Sequence, residues 1–206
     1  MLVKFDHIAY TCRKDEIEQI RKQYIGYTEV FREIGVPNLA IKKQLMIKWK
    51  DDHDIVFMEK KDAFPIEITA YDDVEDSKVK YDIQDHSLNV NTLSYGDSYQ
   101  FYKTIGFGKR DNNEMVIQPV MDTMPISIKI NEGADVYGRS KENSLDCRGL
   151  CCLAFITNNI VKEKERLDRK SLRTSDIMPL RLHGQKMRIF FAYNDFGDIC
   201  EFIGVS

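Results

Sequence analysis

Three absences narrow this chain before any motif is read. No apolar run in its 206 residues approaches the roughly 20 residues that a membrane-crossing helix needs, so no transmembrane helix is expected. No basic excess exists either. Thirty Lys and Arg face 33 Asp and Glu for a net charge of −3, which argues against a general nucleic-acid binder with its basic face. The five cysteines contain no C-x-x-C pair. Their number is odd, and three fall within Cys147 to Cys152, unlike a secreted disulfide framework. Cys151 and Cys152 are adjacent, so on a strand they would point to opposite faces, which disfavours a zinc knot made with Cys147. The start, Met1 to Asp6, lacks the apolar stretch of a signal peptide. The expectation is a reducing, cytoplasmic setting. Length and composition suit one large globular domain, or one domain plus a half.

What the chain does have is a repeated phrase, and internal repeats decide the fold when they are present. Phe5-Asp6-His7-Ile8-Ala9-Tyr10, Gln84-Asp85-His86-Ser87-Leu88-Asn89 and Leu150-Cys151-Cys152-Leu153-Ala154-Phe155 each read as an opening strand. Each segment closes on a matching strand: Pro65-Ile66-Glu67-Ile68, Pro125-Ile126-Ser127-Ile128 and Ile199-Cys200-Glu201-Phe202.

Between these ends the pattern changes period. Lys14 to Tyr24 reads as an amphipathic helix, with Ile17, Ile20 and Tyr24 at i, i+3 and i+7, and Gly26 stops it. Strands are expected at Thr28 to Glu33, less cleanly at Gln44 to Lys50, then at Ile55 to Glu59 and Phe64 to Tyr71, with Asp51 to Asp54 as a polar turn containing an exposed His53. The acidic stretch from Tyr71 to Lys80 reads as a linker. The second segment has a strand over Asp82 to Asn91, a helix over Tyr95 to Ile105 and strands at Met115 to Gln118 and Ile126 to Ile130. Asn131 to Arg148 reads as a loop. In the third segment Asn158 or Asn159 caps a helix through Leu167, and strands follow at Met187 to Tyr193 and Ile199 to Val205. The charged run Lys162 to Arg166 reads as a solvated helix face, and His183 before Gly184 as an exposed loop residue. The fold class is α+β: repeated βαβββ modules forming cupped mixed sheets, with helices outside.

The segments together resemble the vicinal oxygen chelate superfamily, which includes glyoxalase I, bleomycin resistance proteins, methylmalonyl-CoA epimerase and extradiol dioxygenases. Asp6-His7-Ile8-Ala9-Tyr10 is similar to the family's opening strand. Phe101-Tyr102 with Ile105-Gly106-Phe107 resembles a helix end and the strand after it. Phe191 to Phe202 resembles the closing hairpin, in which a turn with Asp and Gly precedes a strand bearing Glu. In that family βαβββ modules join in pairs, edge to edge, around a divalent metal. Three modules are visible here, so two pairings are open. Residues 82–206 form a two-module domain, as 82–132 and 149–206, with the module over 1–75 extra; or the first two modules pair and the third is left over. An unpaired module has an open edge that a second copy could cover, which suggests a homodimer.

The resemblance implies ligands from opening and closing strands. Here those positions hold His7, His86 and Cys152, and Glu67, Ser127 and Glu201. The first pairing joins His7, His86 and Glu67 into a triad suited to Fe²⁺ or Mn²⁺, with Zn²⁺ and Ni²⁺ as further candidates. The second joins His86, Cys152 and Glu201. Glu67 and Glu201 are the candidate proton carriers. The resemblance implies a glyoxalase-like, metal-dependent enzyme acting on a small oxygenated molecule, of lyase, isomerase or dioxygenase type. The alternative is a metal-free protein of the same fold that binds or sequesters a small molecule, as bleomycin resistance proteins do. Ordinary strand alternation accounts for each single residue: a half-buried histidine, a glutamate on a wet face, a small buried cysteine. Trp49, Phe57, Met58, Tyr102, Phe190 and Phe191 are candidates for an apolar pocket or for plain core.

Overall fold

A computed structural model of the chain describes residues 2–76, 81–84, 87–122, 125–133 and 144–205. The repeat is real, and all three modules share one strand plan. In the first, β1 (Leu2–Arg13) leads through a short 3-10 turn into α1 (Ile17–Gln23), then β2 (Thr28–Pro37), β3 (Asp52–Glu59) and β4 (Ile66–Tyr71). The closing β4 lies parallel beside the opening β1. The second holds β5 (Tyr81–Gln84), β6 (Ser87–Thr92), α2 (Tyr95–Ile105), β7 (Gly108–Lys109), β8 (Glu114–Ile117) and β9 (Ile126–Glu132). Here β9 lies parallel beside β6. The third runs β10 (Gly149–Thr157), α3 (Ile160–Asp168), β11 (Arg173–Thr174), β12 (Met178–Leu182), β13 (Gln185–Tyr193) and β14 (Ile199–Val205), with β14 parallel to β10.

Neither expected pairing of modules is the one observed. The first module joins the third, through antiparallel β1 and β10, and the described strands of the pair form one long sheet in the order β11-β13-β14-β10-β1-β4-β3-β2. The second module forms a separate sheet, β5-β6-β9-β8-β7. Alternation sorts the long sheet's side chains. Ile8, Ile68, Phe155, Phe190 and Phe202 point to its outer face, where they share one core with Ile17 and Ile20 of α1, Ile160 and Leu167 of α3, and the apolar face of α2 and the smaller sheet. Asp198, fully buried, pins that junction by accepting hydrogen bonds from Ser98 Oγ (2.6 Å), Asn194 Nδ2 (2.7 Å) and Tyr102 OH (3.1 Å).

Local signals explain the helix ends. Ser94 caps α2 and Asn159 caps α3, each accepting from a backbone N–H three residues on, and Gly106 ends α2 at φ +137°. Arg166 is not simply solvated: its guanidinium donates to the carbonyls of Thr104 and Ile105, which stitches α3 to the end of α2.

Two local readings change. Gln44 to Lys50 is not a strand: Ala40–Leu45 is a 3-10 turn, and the chain after it is irregular. This segment plugs one end of the cup. Ile41, Leu45 and Met46 pack with Leu145, and the Asp146 carboxylate accepts from the N–H groups of Ile47 and Lys48 (2.8 and 2.9 Å). His53 is also not an exposed turn residue. It lies in β3 and is 2 % exposed. Its neighbour Asp52 turns out to meet Lys14, so an acidic stretch that looks like a turn is an alternating strand.

Candidate functional site

The inner face of the long sheet is where the sequence repeat becomes a constellation. Glu67 lies beside Ala9 in the β4–β1 pair, and Glu201 lies beside Ala154 in the β14–β10 pair. The two glutamates therefore hold equivalent places in two modules. Across the β1–β10 seam His7 stands opposite Ala154. His7 Nε2 is 3.8 Å from Glu67 Oε2 and 4.0 Å from Glu201 Oε2. Its Nδ1 is 2.9 Å from the carboxylate of Asp6. The Phe57 ring meets the imidazole edge to face.

Charge sets the protonation of this group. Burial alone would push the His7 pKa down, but the Glu67 charge, the Asp6 hydrogen bond and charge, and the Glu201 charge outweigh it and raise it to about 9. Burial lifts the Glu201 carboxyl to about 7, with His7 drawing it down and Glu67 pushing it up. Burial opposes the charge on Asp6 too, yet His7 holds its carboxyl below the usual range. His53, elsewhere on the inner face, is driven down to about 2 by burial and by Lys42 and Lys14, so it is a neutral ring.

Two spaces flank the glutamates. A cavity of about 200 Å³ is lined by Phe31, Phe57, Leu180, Leu182, Met187 and Ile203, with Asp6, His7, Glu67 and Glu201 among its polar groups. A second, of about 20 Å³, is lined by Thr11, Thr69, Tyr71, Cys151 and Cys152 and again by Glu67 and Glu201. Because both glutamates line both spaces, they stand at the deep end of the larger one. The β12–β13 hairpin closes its side. His183 and Gly184 make the two-residue turn with φ of +49° and +74°, as the right-handed strand twist requires. The His183 ring stacks on Phe31 (5.0 Å), Phe31 stacks on Phe57 (5.3 Å), and the His183 N–H donates to Glu33. The long sheet is thereby curled nearly shut.

A divalent ion needs its donors closer together than His7, Glu67 and Glu201 stand. Donors held about 2.1 Å from one ion at tetrahedral or octahedral angles stand roughly 3.0–3.4 Å apart, and His7 Nε2 is farther than that from both carboxylates. Cys152 occupies the place in β10 equivalent to His7 in β1, two residues before the partner of the glutamate. Burial, with Glu201 and neighbouring thiols, pushes its pKa well up, so it stands as a thiol and not as the thiolate that binds metal. Among the described residues no group of three or more His, Cys, Asp or Glu is disposed to hold a metal ion. The residues as arranged do not fit the ion.

His86 lies outside the described residues. Ser127 pairs with Ser87 as Glu67 pairs with Ala9. Ser127 itself belongs to the smaller sheet, where it donates to Glu114, and not to the cup. Of the aromatic candidates, Phe57 lines the large cavity and Phe191 lies in the core on the cup side, while Met58, Tyr102 and Phe190 are outer core. Sequence reading passed over Asp6, Phe31, Leu180, Leu182 and Met187. The His183-Gly184 turn between alternating residues was the signal that could have found the last three.

Two βαβββ modules joined edge to edge by their opening strands, with closing-strand glutamates facing inward from both, decide the architecture. The chain has the vicinal oxygen chelate fold. No family model matches the sequence, and no curated protein matches it. Solved structures of several members of that superfamily overlay on it at low identity. Methylmalonyl-CoA epimerase from Mycobacterium tuberculosis is 11 % identical with a TM-score of 0.47, over 100 % of this chain and 89 % of that one. A Streptomyces coelicolor methylmalonyl-CoA epimerase variant in complex with 2-nitronate-propionyl-CoA is 11 % identical with a TM-score of 0.45, over 100 % and 96 %. Glyoxalase I from Zea mays is 15 % identical with a TM-score of 0.39, over 98 % and 68 %. Strand order, not these overlays, carries the fold. In this chain the first module partners the third, and a further module lies between them in sequence.

Proposed function

We propose that this chain is a small-molecule-binding protein of the vicinal oxygen chelate fold, using the cavity between β2, β3 and the β12–β13 hairpin. One observation carries the reading: an apolar-walled space of about 200 Å³ that ends on a buried histidine among carboxylates. Such sites bind by a largely apolar wall with a few placed polar groups. The test is by NMR, adding one-ring aromatic probes and following the resonances of Phe57, Leu182 and Met187. Saturable shifts at these residues are expected, and Leu180→Trp, which fills the space, should abolish them. Absence of any shift from every probe would remove the reading.

A divalent-metal enzyme is the second reading. It is favoured by the equivalent placement of Glu67 and Glu201 around His7 Nε2. It requires those groups to draw together, with His86 as a further ligand candidate. Metal content of protein purified without chelator, measured again on Glu67→Ala and Glu201→Ala, separates the two readings. Stoichiometric metal lost in both variants would favour the enzyme.

The proposal includes a homodimer in a reducing, cytoplasmic compartment. Among the described residues no strand of the second module pairs with a strand of the others, which leaves β5 and β7 as edges where a second copy could add. All five cysteines are free thiols. Among the described residues no helix is long and apolar enough to cross a membrane. Light scattering of the purified chain tests the dimer; a monomer at micromolar concentration would exclude it.

A further inference from the structure

The class of ligand follows from what the deep end of the cavity leaves unspent, and it rests on the binding reading above. His7 is 2 % exposed, and its Nε2 has no hydrogen-bond partner among the described residues. Nδ1 is already held by Asp6. The charged groups facing the ring are Asp6 on its own strand, Glu67 on β4 and Glu201 on β14. At 3.8 and 4.0 Å the two glutamates are too far to accept from Nε2. With its pKa raised to about 9 the imidazole is a cation at neutral pH, so Nε2 carries a hydrogen that wants an acceptor. The glutamates want donors. Glu67 Oε1 already accepts from the Thr69 hydroxyl, which makes Glu201 the freer of the two.

Each simple ligand class leaves something unmatched. A cation would sit against the imidazolium and leave Nε2–H unsatisfied. An anion would meet Nε2–H but lie among carboxylates. A hydrocarbon would bury both sets unpaired, which disfavours it at every one of these groups. The walls are mostly apolar, with Phe57, Leu180, Leu182, Met187 and Ile203, and Glu59 and Gln185 add polar groups away from His7 that a carboxamide head does not use. A volume of about 200 Å³ is below the roughly 300–1,000 Å³ of sites for drug-sized ligands.

We propose that the cavity takes a small neutral molecule whose head sets an acceptor oxygen beside an N–H donor, as a carboxamide does, on an apolar body about one aromatic ring in size. The carbonyl oxygen accepts from His7 Nε2–H. The amide N–H donates to Glu201. The ring lies against Phe57.

Four probes of one ring test this on the full chain by calorimetry and NMR at pH 8: benzamide, benzoate, benzylamine and toluene. Benzamide should bind at least about tenfold tighter than each of the others, and it should shift the His7 Nε2–H resonance where toluene does not. Glu201→Gln should weaken benzamide about fivefold or more and leave toluene unchanged. Toluene, benzylamine or benzoate binding as tightly as benzamide would overturn the ligand class while leaving the binding reading in place. Binding by none of the four would overturn both. Should Glu201→Gln misfold, the ranking on the unaltered chain decides alone.

Discussion

Glu67 and Glu201 hold the same strand position in two modules, one beside Ala9 and the other beside Ala154, and both turn a carboxylate oxygen toward Nε2 of the single histidine His7. Two acids and one buried base share one small volume. Their protonation states are therefore linked, and pH should read them out.

The His7 pKa is raised from 6.5 to about 9 by partners that exist only in the folded chain. The folded state then binds the proton more tightly than the unfolded state. This contribution is fully present below about pH 6.5 and is lost as pH rises through about 9. Its size is on the order of 3 kcal/mol. Glu201, raised from 4.5 to about 7, acts in the same direction at lower pH: its contribution is full below about 4.5 and fades through about 7. His53, driven down to about 2, works the other way and offsets Glu201 below about pH 6.5, so stability measured by urea unfolding should fall between pH 6.5 and pH 9.5. His7→Gln should remove the upper part of that fall. A flat profile from pH 6.5 to 9.5 in the unaltered chain would contradict the assignment.

The two glutamates do not weigh equally on His7. Glu67 supplies the largest upward pull on its pKa, and Glu201 the smallest of the named ones. Glu67→Gln should lower the His7 midpoint by roughly one unit, and Glu201→Gln by less. An NMR titration of the His7 ring in both variants gives the order directly. The reverse order would mean that the imidazole leans toward β14.

Much of this was readable in the sequence, and the part that was not has a physical reason. The first and third opening phrases and the closing strands are local patterns of alternation, so they survive as strands in place. So does the match of His7 with Cys152 and of Glu67 with Glu201, because position within a strand is a matter of counting. Pairing between modules is different. It joins β1 to β10 across some 145 residues of chain, and either edge of a repeated unit carries the same pattern. Nothing local says which copy will meet which. The second phrase misled in a smaller way: Tyr81–Gln84 and Ser87–Thr92 are two antiparallel strands, so a phrase that looked continuous spans their connection. His53 was missed because two aspartates flank it and an acidic run resembles a turn, whereas in β3 only Asp52 is exposed and Asp54 is itself buried, accepting from the Gly35 N–H.

The plug over the far end of the cup depends on one carboxylate. Asp146 is fully buried, accepts from the N–H groups of Ile47 and Lys48, and takes the Ser144 hydroxyl at 2.6 Å. Asp146→Ala takes the acceptor from these three donors, of which the Ser144 hydroxyl is buried and the two N–H groups partly so. Hydrogen bonds to a charged group contribute about 1.5–3 kcal/mol each, so the expected loss is about 2–4 kcal/mol after partial rehydration. Because the plug is a local element, limited trypsin digestion should cut at Lys48 or Lys50 in the variant well before the rest of the chain. Uniform digestion with no early cut there would show that the segment is held by its apolar contacts instead.

Gly204 marks the closest approach of helix to sheet in the third module. A Cβ placed on it would lie 2.8 Å from Ile160 Cβ and 3.0 Å from Ile160 Cγ2. These atoms sit next to the backbone of the first turn of α3 and cannot swing aside as the end of a long side chain would. Ile160 is itself 1 % exposed and belongs to the outer core. Gly204→Ala must push α3 outward by several tenths of an ångström, and overpacking of this kind costs about 1–3 kcal/mol. Gly204→Val should cost more. Trimming the helix side, in the double variant Gly204→Ala with Ile160→Ala, removes the clash but also deletes a buried Ile, which alone costs about 2–5 kcal/mol. The double variant should therefore be less destabilised than the sum of its two single changes, by about 1 kcal/mol or more. Additive losses in urea unfolding would mean that the helix already has room to move, and that the absence of a side chain at 204 serves something other than packing.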